Sequence, residues 1–388
     1  MARGARPLTH APVLVGAFLF NLGQGVLRPT MPLYLQTVFA ADYRRVTWIP
    51  TVFGAGKWVA NMPTGYLVGR LGRRALMAVG LALIAGCDVA SVVARSYLTF
   101  LGLRALAGVG WAMFATVATS VIVDRPPAGR RGRAVSVLMM SETAGLLVGS
   151  AAGGWLYRDF GVTTPLLFEA GCMLVAAIAL TTSPLASPVR ASGRPDRGAL
   201  AAVLRVRGVM VMSVTNAALV AIQTGVLVFL YPLYLVNRAG MDPRAAGLLV
   251  SLTVLGRMLA LWLGGAVSDR AGRLRAMTPG LLVYAVLVGT VTSVTHPMGL
   301  AVWSLMIGAA SGFVAPQPTA LVGDRVHGAQ QAVAIGWLRT MADTGQIVGP
   351  LAMGALADTV DLAAPFMAAA GMLLIAAWFV DRARRAEA

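Results

Sequence analysis

Apolar runs long enough to cross the hydrocarbon core of a bilayer as a helix, about 20 residues each, follow one another along almost the whole chain. They fall at 11–36, 46–68, 75–95, 98–122, 134–156 and 163–184, then at 209–236, 245–267, 276–295, 298–321, 332–356 and 362–380. In lipid every backbone N–H and C=O needs a partner within the chain, which a helix supplies from its own residues. Runs this uniformly apolar are helices. Composition agrees: 57% of the 388 residues are hydrophobic and 12% are charged, against roughly 25% charged in soluble domains. The expectation is an all-α membrane protein with twelve transmembrane helices in two pseudo-symmetric bundles of six. Residues 1–184 form the N-terminal bundle, 185–207 a polar cytoplasmic linker, and 208–388 the C-terminal bundle.

The two groups of six are a repeat at a constant offset of 200 residues. Gly65, Arg70, Gly72 and Arg73 recur as Gly265, Arg270, Gly272 and Arg273 in a short loop between the second and third spans of each group. Pro32-Leu33-Tyr34-Leu35 recurs as Pro232-Leu233-Tyr234-Leu235, Gly56-Lys57 as Gly256-Arg257, and Asp124-Arg125 as Asp324-Arg325. Gly145, Gly149 and Gly154 recur as Gly345, Gly349 and Gly354. One register held across five separate segments marks a duplicated unit.

The arginine-rich loop, Gly-Ala-Val-Ser-Asp-Arg-Ala-Gly-Arg at 265–273, resembles the signature loop of the major facilitator superfamily. The second copy carries the acid as Asp269, while the first has Gly69 in its place. That departure puts in doubt a conformational lock by the first loop. Arg104-x-x-x-Gly108-x-Gly110 resembles a second segment of the family, in which the arginine is associated with proton coupling. Gly145-x-x-x-Gly149-Ser150-x-x-Gly153-Gly154 resembles the segment of its antiporter members, with Ser150 replacing a proline. The resemblance implies two six-helix bundles with a substrate site between them near mid-membrane.

The formal charge of +17 raises the question of a nucleic-acid partner. The arginines fall in alternate loops, such as Arg70/Arg73/Arg74, Arg190/Arg194/Arg197 and Arg382/Arg384/Arg385. This is the positive-inside pattern, which places both termini in the cytoplasm and needs no polynucleotide. No basic stretch is interleaved with aromatics as nucleic-acid binding requires. Cys87 and Cys172 lie inside apolar runs without CxxC spacing, and His10, His296 and His327 are scattered. Neither a metal nor a cofactor is expected, and the expected state is a monomer.

Charge inside hydrocarbon costs roughly 2.5–3.5 kcal/mol at a helix centre, so each buried ionisable residue needs a reason. Lys57, the sole lysine, and Arg257 occupy matching mid-span positions. They are expected either to face a central cavity and bind substrate, or to form structural ion pairs. Asn21, Gln24, Arg28, Tyr34, Trp111, Gln223 and Tyr234 are the accompanying candidates for the substrate path. Glu142, in the cytoplasmic half of the fifth span, is the expected proton carrier and a candidate partner for Arg104. Asp343 follows Arg339 by four residues, a spacing that puts both on one helix face, as a local pair or a second coupling site. Asp88 and Glu169 are expected near the outer ends of their helices, solvated at the interface.

The resemblance, which extends to the drug:proton antiporter branch of the family, implies a secondary transporter of the cytoplasmic membrane that moves a small organic molecule by alternating access, with protons and membrane lipids as its other partners. The leading expectation is proton-coupled efflux of a drug-like or amphipathic compound. The alternatives are an organic-anion transporter using Lys57 and Arg257, and a transporter-like sensor or assembly protein. The sequence carries no nucleotide-binding or nucleophile motif, so it is not read as an enzyme.

Overall fold

The computed structural model describes residues 11–124, 131–181, 204–206, 208–326 and 329–386. Most of the 185–207 linker, both chain ends and His327 lie outside the described residues. Twelve long helices account for the rest. In the first half they are α1 (Ala11–Phe39), α2 (Tyr43–Leu71), α3 (Arg73–Val92), α4 (Tyr97–Asp124), α5 (Arg131–Phe160) and α6 (Thr164–Thr181). In the second half they are α7 (Val209–Arg238), α8 (Pro243–Ala271), α9 (Arg273–Ser293), α10 (Pro297–Arg325), α11 (Ala329–Thr359) and α12 (Ala364–Arg385).

Among the described residues ten of the twelve are long and apolar enough to cross a membrane, and the protein is an integral membrane protein. The other two, α2 and α11, carry Lys57, and Arg339 with Asp343, within their length. Apolar side chains face outward as lipid contact demands, with Trp262 79% and Leu98 75% exposed.

The helices are interrupted at a few points, among them a turn at Ala315–Pro316 that divides α10 into Pro297–Val314 and Gln317–Arg325. Gly72 and Gly272 take φ of +79° and +90°, breaking α2 from α3 and α8 from α9 at equivalent points. Only glycine adopts that conformation without penalty. In α7 the hydrogen-bond ladder widens to the π form over Ile222–Leu230 and again over Tyr234–Arg238. Such departures from the α ladder concentrate at functional sites.

Contacts divide the chain into two units, residues 1–39 with 52–192, and residues 40–51 with 193–388. The first unit packs around Phe20, Leu76, Met77, Leu81, Ile84, Phe114 and Leu180. Glycines set its closest crossings. A Cβ on Gly145, Gly149 or Gly153 of α5 would strike the carbonyls of Phe18, Leu22 and Val26 of α1, and one on Gly56 or Gly108 would join α2 to α4 by collision with Ala105 or Phe53. The second unit repeats the device, with Gly345 against Ala217, Gly256 against Leu305 and Gly308 against Thr253. Without a hydrophobic drive between helices in lipid, such close approach supplies the packing energy.

The short stretch Ala40–Thr51, which includes the start of α2, clusters with the second unit. There Asp358 accepts from the backbone N–H groups of Tyr43 (2.9 Å) and Arg44 (2.8 Å), and the Thr51 hydroxyl donates to the Ile347 carbonyl at 2.8 Å. Asp358 thus caps the opening turn of α2 with a negative charge placed where the helix dipole favours it.

Candidate functional site

In the first unit α3, α4, α6 and α1 bring five polar side chains together in the bundle interior. Arg104 donates to Asp88 Oδ1 at 2.6 Å and to the Ser91 hydroxyl at 3.0 Å. Glu169 lies against Asp88, and Gln24 of α1 donates to Glu169 Oε1. Asp88 and Glu169 are fully buried and Arg104 is 3% exposed. Two expectations are corrected here. The acids expected at a solvated interface are sealed inside the bundle, because α3 and α6 pack directly on one another and place both carboxyls in that contact. The acid that pairs with Arg104 is Asp88 from the neighbouring helix; Glu142 sits half-buried on α5.

Lys57 of α2 is 8% exposed, and its ammonium lies 4.1 Å from the ring centroid of Trp111 on α4. Trp111 in turn contacts Phe20 with centroids 6.3 Å apart. On α1, Asn21 donates to its own helix at Ala17 O, while Arg28 is half-buried. Tyr34 is turned from the expected substrate path. It is 2% exposed, stacks on Phe100, and donates to the Ser91 carbonyl at 3.3 Å. Its repeat, Tyr234, is 4% exposed and donates to the Thr292 carbonyl at 3.1 Å. Both tyrosines therefore tie helices together instead of lining an open surface.

In the second unit Arg257, Tyr284, Gln223, Asn216 and Ser311 line a small cavity of about 100 Å³. Among the described residues no carboxylate pairs with Arg257; the Tyr284 phenol is the group that acts on it electrostatically. The Tyr284 hydroxyl is buried without a hydrogen-bond partner. The repeat explains the opening. Trp111 fills the space beside Lys57, but its equivalent is Ser311, and the freed volume lies beside Arg257. Arg339 is exposed and Asp343 half-buried one turn away on α11.

The two loops between paired helices differ as their sequences do. Arg273 bridges Asp269 and Asp324, at 3.0 Å from Asp324 Oδ2, and donates to the Ser268 hydroxyl at 2.7 Å. In the first loop Gly69 supplies no carboxylate, and Arg73 is 8% exposed while Arg70 is exposed. Gly65 and Gly265 lie within the last turns of α2 and α8, and Arg270 is exposed beside Gly272.

Three participants escaped the sequence reading. Tyr284 and Ser311 look like ordinary span residues until the fold sets them beside Arg257. Asp324 was visible as a repeat of Asp124, yet its role as a partner of Arg273 was not. Among the described residues no group of three or more His, Cys, Asp or Glu is assembled as a metal would require.

A family model described as Major Facilitator Superfamily matches residues 13–242 and 214–388. Multidrug resistance protein MdtG of Citrobacter koseri is 25% identical over 390 residues, covering 96% of this chain and 94% of that protein. A bacterial homolog of the human lysosomal transporter Spinster, solved inward-facing and occupied, superposes with TM-score 0.82 at 15% identity over 98% of both chains. The nucleoside transporter NupG superposes with TM-score 0.80 at 14% identity, over 97% of this chain and 99% of that one. At those identities the two structures establish a shared fold.

Proposed function

This chain belongs to the major facilitator superfamily, and from that premise we propose that it exports a drug-like or amphipathic compound across the cytoplasmic membrane in exchange for protons. It is a transporter and not an enzyme. The observation that carries the efflux reading is the end-to-end correspondence with multidrug resistance proteins named MdtG, over 96% of this chain.

In this reading each bundle offers its own polar contacts to the substrate. Lys57 with Trp111 supplies them in one bundle, and Arg257 with Gln223, Asn216 and Tyr284 in the other. An aromatic face beside a cation and a small polar pocket beside another suit a bulky amphipathic molecule with one polar end. An intramembrane carboxyl carries the proton, because desolvation makes its charged form costly and its protonation sensitive to access. Ethidium accumulation in proteoliposomes with an acidic lumen tests the reading. Accumulation that follows the gradient supports it, and entry indifferent to the gradient defeats it.

A second reading, transport of an organic anion, rests on one observation: Arg257 has no acid to neutralise it among the described residues. Benzoate uptake that Arg257→Gln abolishes, with no ethidium movement, would select that reading over the first.

A further inference from the structure

The cluster on Arg104 holds two acids and one base, all buried. With both acids ionised it would carry a net negative charge in a desolvated bundle core, and the cost of an uncompensated buried charge is several kcal/mol. Its hydrogen bonding shows the same imbalance. Asp88 Oδ2 and Glu169 Oε2 are both buried and both without a donor, although the two side chains interact directly. Two buried carboxyls in contact, each with an oxygen that no donor reaches, are balanced by a proton shared between them.

The repeat shows that the fold does not require these charges. At the equivalent positions of the second unit, 200 residues on, Asp88 becomes Val288, Arg104 becomes Ser304 and Glu169 becomes Ala369. There Ser304 hydrogen-bonds the Tyr231 hydroxyl at 2.6 Å, a neutral substitute for the ion pair. At these positions the same helix packing is thus achieved without ionisable groups, and the first unit retains three of them at a cost its twin avoids.

We propose that Asp88 and Glu169, held by Arg104, form a proton-binding site that takes one proton between the two carboxyls. Resting on the proton-coupled reading above, it is the place where that coupling resides. The proton bonds to one oxygen of Asp88 or Glu169 and is accepted by the other. Arg104 neutralises the single charge that remains. Neither carboxyl touches solvent in this structure, so the proton is sealed in and is exchanged only in another state of the bundle. Gln24 is the link to that change, since it binds Glu169 and sits on α1 between Asn21 and Arg28. Glu169 also crosses α1 closely at Gly23, its Cγ lying 3.0 Å from where a Cβ on that glycine would stand.

Arg104 is the cation that acts on both acids among the described residues. The other ionisable groups in electrostatic contact with the cluster are Tyr34 from α1, Cys87 from α3 and Cys172 from α6. From α2, Lys57 lies over Trp111, and from α5, Glu142 has no charge acting on it among the described residues.

Infrared spectroscopy of the purified protein at neutral pH reads the site without any substrate. The wild type is expected to show the C=O stretch of a protonated carboxyl, absent from Asp88→Asn and Glu169→Gln and retained in Glu142→Gln. A wild type lacking that band, or a band that only Glu142→Gln removes, overturns the proposal. Because the wild-type spectrum alone can refute it, misfolding of a variant does not protect the idea. In proteoliposomes, Glu169→Gln is expected to lose gradient-driven ethidium accumulation about tenfold or more, on the scale of a typical coupling free energy, while ethidium counterflow exchange persists. Accumulation at the wild-type level in Glu169→Gln refutes the coupling role. If the wild type itself accumulates no ethidium, the efflux reading fails, and the infrared band still decides the proton site.

Discussion

The ammonium of Lys57 lies 4.1 Å from the ring centroid of Trp111, one helix away in the same unit. An aromatic face stabilises a cation by about 0.5–2 kcal/mol, more where water is excluded. Trp111→Leu should therefore lower the melting temperature of the purified protein by a few degrees, and Trp111→Phe should restore part of the loss. Lys57→Arg, which keeps the cation over the ring, should preserve ethidium transport that Lys57→Met reduces. Equal transport in both Lys57 variants would remove the residue from the substrate path.

Helix crossings without room for a side chain give a second prediction. Gly108 presses on the Phe53 carbonyl, whereas a Cβ on Gly86 would meet nothing within 4 Å. Overpacking a close contact costs roughly 1–3 kcal/mol, so Gly108→Val should destabilise the protein strongly. Gly86→Ala should be neutral or slightly stabilising, since alanine exceeds glycine in helix propensity by up to about 1 kcal/mol. Thermal unfolding in detergent separates the two.

Much of this architecture was legible because its signals are local or periodic. The offset of 200 residues carried the glycines from one crossing to its twin, and the apolar runs located twelve helices to within a few residues of their ends. The meaning of Asp88 and Glu169 was not legible. Each looks like an isolated acid toward one end of an apolar run, and only the packing of α3 on α6 turns them into a pair on Arg104. The same limit applies to Tyr34 and Tyr234. Their repeat was plain, but the direction of a side chain around a helix that is apolar on every face is set by its neighbours, not by its own sequence.

Asp358 accepts from the N–H groups of Tyr43 and Arg44 at the start of α2. Loss of a capping carboxylate typically costs about 1 kcal/mol. Asp358→Ala should lower the melting temperature modestly and speed hydrogen exchange in the first turn of α2. Unchanged exchange there would mean that the cap contributes nothing.

The loop networks can be exchanged by single substitutions. Arg273 bridges Asp269 and Asp324, while the first loop has Gly69 where the second has Asp269. Gly69→Asp sets a carboxylate at the position from which Asp269 meets Arg273 in the second loop, an exposed pair worth about 0.2–1 kcal/mol. We expect slightly higher thermal stability and slower turnover. Asp269→Asn should do the reverse in the second loop, with turnover of ethidium counterflow as the readout.

The central claim is that substrate and proton movements are obligatorily linked in opposite directions, and a luminal pH dye in sealed proteoliposomes reports it directly. Ethidium added outside, with no gradient imposed, should enter and raise the luminal pH as protons leave. Ethidium entry with luminal pH unchanged would contradict the account.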